Sequence, residues 1–286
     1  MGVRTGGVTK ENKRRFRFKL SGGGDTFSAG LAVTALALLA GFISLPLISL
    51  ILWTLNESAW QSMTSPVAMD ALLLSIRTTS ISMAILLLLG TPAAYLLARV
   101  SFPGNRAVNA LMDLPVVLPP SAAGIALLLA FGRFGLVGQY LNVFGITLSF
   151  TTVAVVMAEI FVAAPFYLRQ AVTSFAGIDR NIEEAAMVDG ASRSAVFFRI
   201  TVPLAFPALV AGALTAWARA LGEFGATIIF AGSFQGVTQT IPLAIFSAFQ
   251  RDLNAAVALS VLVLGFAFTV ILAVRYLTRR TAEYDG

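Results

Sequence analysis

The chain contains no cysteine and no histidine. The first absence excludes disulfides and thiol nucleophiles, and the second excludes imidazole acid–base chemistry. Together they exclude zinc sites built on those two ligands. Lysine is confined to Lys10, Lys13 and Lys19, so a phosphate-binding G-x-x-x-x-G-K-[ST] loop is impossible in the body of the chain. Charge is scarce too. Only 12% of the residues are charged and 57% are hydrophobic, whereas soluble domains carry about a quarter charged residues. This balance, with apolar runs longer than about 20 residues, describes an all-α protein embedded in a bilayer.

Six stretches are long and apolar enough to cross. The first, 26–56, is free of charge; it is too long for a signal-peptide core, and no small-residue cleavage site follows it. The second, 71–97, is interrupted only by Arg77. The third, "LPVVLPPSAAGIALLLAFG", carries three prolines and is expected to kink where they fall. The fourth covers 148–168, the fifth begins near Pro203, and the sixth, "AAVALSVLVLGFAFTVILAV", ends at Val274. The expected organisation is a basic tail at 1–25, a six-helix domain at 26–280 and a short tail at 281–286, with no appended C-terminal domain.

Arginine placement orients these spans. The N-terminal tail holds seven basic residues. Arg99 and Arg106 follow span two, Arg169, Arg180, Arg193 and Arg199 follow span four, and Arg275, Arg279 and Arg280 follow span six. The opposite connections hold only Arg133 and Arg251. The positive-inside rule therefore places both termini in the cytoplasm. Beside a membrane span, the basic tail is expected to meet anionic lipid rather than nucleic acid. The uncharged stretch 224–250 has a polar, glycine-containing centre, "GSFQGVTQT". A continuous helix through lipid would be costly there, so it is expected to be an outer loop, with "IPLAIFSAF" at the surface or dipping partly inward.

One cytoplasmic stretch departs from this apolar character: "EEAAMVDGASRSAVFFRITVP", 183–203. Asn181 can cap a helix with Glu184 three residues on, and Gly190 suits the left-handed position that ends it. Ser192 can cap a second short helix, "RSAVFFRI", before Pro203 opens span five. Two uses fit this helix–glycine–helix. It could lie flat with Met187, Val188, Phe197 and Phe198 in the headgroups, or it could dock a soluble partner through apolar anchors ringed by charge.

The run Glu184-Ala185-Ala186, Gly190 after three intervening residues, then Ile200 and Pro203 resembles the E-A-A-x3-G-x9-I-x-L-P signature of ABC-importer permease subunits. Val202 stands where leucine is usual. Elsewhere "LPVVLPPSAAGIALLLAFGRFGLVG", "VAAPFYLRQA", "ARALGEFGATIIFAG" and "TQTIPLAIF" are similar to permeases of the molybdate or tungstate type, with the sulfate permeases close by. The resemblance implies a type I ABC importer permease architecture in a prokaryotic cell (inner) membrane. It makes 180–203 the coupling segment, contacting the ATPase through Glu184, Ala185, Ala186, Gly190, Arg193, Phe197, Phe198, Ile200 and Pro203. It implies a second permease copy, cytoplasmic ATPase subunits that bind the ATP, and an extracytoplasmic oxyanion-binding protein. It implies no cofactor and no enzymatic site in this chain.

Four ionisable residues fall in or beside the spans: Arg77, Glu159, Arg219 and Glu223. Such groups are costly in lipid and usually functional. Arg219 and Glu223 stand one helical turn apart and can pair, and the balance of two positives and two negatives suggests internal pairing throughout. These pairs either hold helices together or line the anion's pathway, with Arg219 and Glu223 at an outer gate. Two other classes fare worse. An intramembrane protease lacks histidine, and Asp70 and Asp113 belong to opposite surfaces. A self-contained secondary transporter would not need the 180–203 segment. Small residues at Gly124, Ala211, Gly212 and Ala213 allow close helix approach, inside one chain or between two.

Overall fold

A computed structural model describes residues 23–54 and 61–284, with side chains described over 29–54 and 61–276. The expected basic tail lies outside these residues except at 23–25, which already belong to a helix. That helix, α1 (Gly23–Trp53), is long and apolar enough to cross a membrane. As far as Ser49 it belongs to a compact unit of its own, and residues 50–286 form the second unit. Among the described residues the secondary structure is helical throughout.

In the second unit, α2 (Pro66–Arg99) opens on Ser65, whose hydroxyl accepts from the Ala68 amide at 3.3 Å, with proline at its first position. This meets the usual requirements of a helix start. The third span is more sharply broken than expected. It consists of α3 (Asn105–Val117) and α4 (Pro120–Phe131), bent 118° against each other. A residue before proline is driven out of the helical region. Two successive X–Pro bonds hold Leu118 and Pro119 extended, at ψ 131° and 138°, and the helix cannot continue through them. With this pair counted as one, the spans number six.

After the short helix α5 (Gly138–Val143), the second unit is organised around α6 (Thr152–Gly177). Its flanks pack against α2 on one side and, on the other, against α9 (Val202–Leu221). One core cluster joins Met83 and Leu86 of α2, Tyr167, Leu168 and Phe175 of α6, and Leu209 and Ala216 of α9. Small residues set the approach. A Cβ added at Gly212 would lie 2.8 Å from the Gln170 Cβ, so Gly212 serves packing within the chain. Lower down, Arg169 of α6 and Asp113 of α3 form an exposed ion pair, on the shared face that the charge pattern assigns to them.

The stretch 224–250, expected as an outer loop with "IPLAIFSAF" at the surface or dipping partly inward, holds two short helices, and the second does turn inward. A short helix, α10 (Gly225–Phe230), is buried against α4 and α6 through Ala226 and Phe230. A second, α11 (Ile241–Phe249), buries Ile241 and Leu243 completely and packs on α2 and α12 (Leu253–Tyr284). The polar centre is compatible with this because it satisfies itself. The amides of Val237, Thr238 and Gln239 all donate to the Phe234 carbonyl, and Thr238 Oγ1 accepts from the Phe234 amide. Ser75 Oγ accepts the Ile241 amide, closing the turn onto α2. Backbone satisfied within the protein is tolerated at membrane depth. The C-terminal helix α12 continues to Tyr284, through most of the expected tail at 281–286.

Candidate functional site: the 180–203 segment and the ionisable residues of the spans

The segment begins with α7 (Arg180–Val188). Its cap is Asp179, which accepts from the Asn181 amide at 3.0 Å, and not Asn181 as the sequence spacing suggests. Asp179 is extended (ψ 124°), the conformation a cap requires, whereas Asn181 is already helical. The helix ends as expected. Gly190 adopts φ +93°, its amide donates to the Met187 carbonyl, and the Ala191 amide donates to Ala186, the paired bonds of a Schellman turn. Ser192 Oγ then accepts the Ala195 amide at 3.3 Å, opening α8 (Arg193–Val196).

There is no break before span five. Helix α8 passes through a π turn at Phe197–Thr201 directly into α9, giving one helix of 29 residues from Arg193 to Leu221. Pro203 lacks an amide to donate, and a π turn widens the ladder so that the helix passes it.

The base of the segment is fixed by a residue the sequence reading passed over. Glu183 is buried, and its Oε1 accepts from Arg99 Nη2 at 3.0 Å and from Thr201 Oγ1 at 2.8 Å. The Arg99 guanidinium also reaches the Ile178 carbonyl, and Arg180 reaches the Arg99 carbonyl. One carboxylate thus ties the end of α2, the start of α7 and the π turn. Beside it Tyr95, Phe175 and Phe197 stack edge to face or tilted, with centroids 4.9–6.3 Å apart. The surface carries the residues singled out from the sequence. Glu184, Ala185, Gly190, Arg193 and Phe198 are exposed, together with Met187 and Val188. Ala186, Phe197 and Ile200 are half-buried, and Pro203 is exposed on the side of α9. Helical phase gave no signal for Glu183, because residues four apart share a helix face and Met187, four positions on, is exposed.

The ionisable residues of the spans pair less completely than expected. Arg219 and Glu223 do meet, Nη2 to Oε2 at 2.6 Å, and Glu223 Oε1 accepts the Ala226 amide at 2.8 Å. Glu223 sits in the turn after α9, where it also anchors the start of α10. Glu159 takes no arginine. It is 2% exposed, and its two oxygens accept from Thr78 Oγ1 at 2.7 Å and Ser82 Oγ at 2.6 Å. Hydroxyls of α2 thus satisfy its lone pairs where a cation was expected. Arg77 points away on an exposed face, with no carboxylate at ion-pair distance among the described residues.

Comparison with known proteins supplies the family. Residues 87–283 match the profile of the "binding-protein-dependent transport system inner membrane component" family. The molybdenum transport system permease protein ModB of Mycobacterium tuberculosis is 43% identical over 235 residues, covering 82% of this chain and 88% of that protein. A probable sulfate transport system permease protein, cysT of Nephroselmis olivacea, is 31% identical over 259 residues, covering 89% and 91%. Among solved structures, a chain of a bacterial ABC transporter involved in the import of the acidic polysaccharide alginate superimposes with a TM-score of 0.71 at 17% identity, covering 90% of this chain and 96% of that one. With that profile match and those identities, the chain belongs to the family of binding-protein-dependent transport system inner membrane components, as a multi-pass membrane protein.

Proposed function

We propose that the chain is the transmembrane subunit of an ATP-driven importer of molybdate. Two copies form the pathway, cytoplasmic ATPase subunits dock on the 180–203 segment, and an extracytoplasmic binding protein delivers the anion. The observation that carries this reading is the exposed ridge from Glu184 to Gly190, fixed at its base by the buried Arg99–Glu183–Thr201 contacts. A segment lying loosely in headgroups needs no such anchor. A segment that passes force needs one, because a flexible handle would dissipate it. The ABC signature in these residues favours an ATPase as the partner, and the identity to molybdenum permeases favours molybdate. In this reading the paired Arg219–Glu223 side chains belong to the outer gate. Alternating access then follows as two arrangements of the spans selected by nucleotide state.

The 31% identity to a sulfate permease keeps sulfate as the second reading. The test is reconstitution of the chain with its ATPase and binding protein in vesicles, with molybdate and sulfate uptake measured in parallel. Molybdate uptake that needs all three proteins and ATP is expected. Uptake of neither anion, or uptake by this chain alone, overturns the reading.

A further inference from the structure

A cavity of about 600 Å³ opens at the N-terminal end of α2, walled by α11, the start of α12 and the turn between α10 and α11. It lies at the opposite end of the 34-residue α2 from Arg99 and the 180–203 segment, about 50 Å of helix away at 1.5 Å per residue. The distribution of arginines assigns this end to the outer face.

Hydrogen-bond donors collect in its wall. Gln239 Nε2 donates to both Ser233 Oγ, at 3.2 Å, and Ser247 Oγ, at 3.4 Å. A hydroxyl that accepts still has its own O–H to give, so Gln239 leaves two donors available. The Ser65 hydroxyl, also in the wall, is spent on the Ser62 carbonyl. Arg251, one of two arginines in the connections assigned outside, brings its guanidinium fork, and among the described residues no carboxylate forms an ion pair with it. Asp252 lines the cavity beside it while its Oδ1 accepts the Asn254 amide at 2.9 Å. Arg251 and Asp252 balance each other in the lining, and a second carboxylate, Asp70, stands one hydrogen bond behind it, accepting from Gln235 Nε2 at 2.9 Å. A planar guanidinium with convergent hydroxyls suits an oxyanion.

We infer that this cavity is a reception site for a tetrahedral oxyanion dianion, held by Arg251 and the hydroxyls of Ser233 and Ser247 before it enters the pathway. The inference deepens the import reading and rests on it. The volume leaves room for part of the anion's hydration shell at roughly 30 Å³ per water. Incomplete dehydration and the neighbouring Asp252 keep binding weak, and a conducting site must bind weakly enough to release.

Because the chain has no cysteine, Ala255→Cys, in the cavity wall, gives the permease a unique thiol without removing a donor. The full importer carrying it is labelled with a small uncharged maleimide in chloride, sulfate or molybdate at matched ionic strength. Occupancy slows labelling by the factor 1 + [L]/Kd, about threefold at twice Kd. Protection by molybdate or sulfate is expected, with none at Tyr140→Cys on the exposed helix Gly138–Val143 and none at Ala255→Cys once Arg251→Gln is added. Labelling unchanged by either anion, or protection that survives Arg251→Gln, overturns the site. Uptake by the unsubstituted importer, measured alongside, separates the two failures. Uptake without protection sinks the reception site alone, and absent uptake sinks the import reading beneath it.

Discussion

Glu183 and Glu184 are adjacent and chemically identical, and a helical step of about 100° sends one inward and the other to the surface. The inward one carries the structural weight. Removing one partner of a buried, hydrogen-bonded ion pair strands the other charge, at a cost of about 3 kcal/mol or more. Arg99 and Glu183 side chains are 8% and 9% exposed, so that figure applies. Glu183→Ala is therefore expected to lower the melting temperature of the purified chain substantially. Thr201→Val, which removes one of the two donors to the Glu183 carboxylate, should cost about 1.5–3 kcal/mol. The double variant Glu183→Ala/Arg99→Ala should be less damaged than the sum of the two single changes, since no charge is left stranded. Additive losses would mean that the pair contributes no coupling.

Elements were legible where covalent chemistry dictates them and illegible where tertiary contact decides. Gly190 at φ +93° and the Ser192 cap could be named in advance because one residue type suffices. The prolines at 115, 119 and 120 announced a disturbance in the third span, but not a 118° turn, which follows from two consecutive pre-proline residues held extended. Helices α10 and α11 were hidden. Six to nine apolar residues beside a polar turn look like a loop until the partner surfaces on α4 and α2 are known. The partners of Glu159 are illegible for a related reason, since they are hydroxyls some 80 positions away on α2 and not a cation. The packing of α10 on α4 yields a test of its own. A Cβ at Gly124 would lie 2.8 Å from the Ala226 carbonyl and 2.9 Å from the Ile229 Cβ, so helix backbone must move, at roughly 1–3 kcal/mol. Gly124→Ala should lower thermal stability and uptake. Gly265→Ala on α12, where a Cβ meets nothing within 4 Å, should leave both unchanged. Equal behaviour of the two variants would dissolve the argument for a tight α4–α10 contact.

On the scale of the whole molecule, the 180–203 segment reaches the spans by two routes. Covalently it runs without interruption from Arg193 through the π turn to Leu221. Through Glu183 it grips the last turn of α2. Both α2 and α9 pack on α6, so a displacement of the segment moves helices on both flanks of the central one. On the proposed function, docking and transmission are separable roles of neighbouring residues. Val188 is 86% exposed. On the proposed docking reading it lies in the covered face, and a charge placed on it must be desolvated by any partner that covers it. Val188→Asp should abolish copurification of the ATPase with the tagged permease while leaving the permease folded. Glu183→Gln keeps the size of the side chain and the exposed docking face, and its amide oxygen can still accept from Arg99 and Thr201, so it weakens the grip on Arg99 with less loss of stability than Glu183→Ala. That variant should retain the ATPase and its nucleotide hydrolysis in vesicles while molybdate uptake falls several-fold. If hydrolysis and uptake fall together in Glu183→Gln, the buried carboxylate supports docking alone and the route through α2 carries no force.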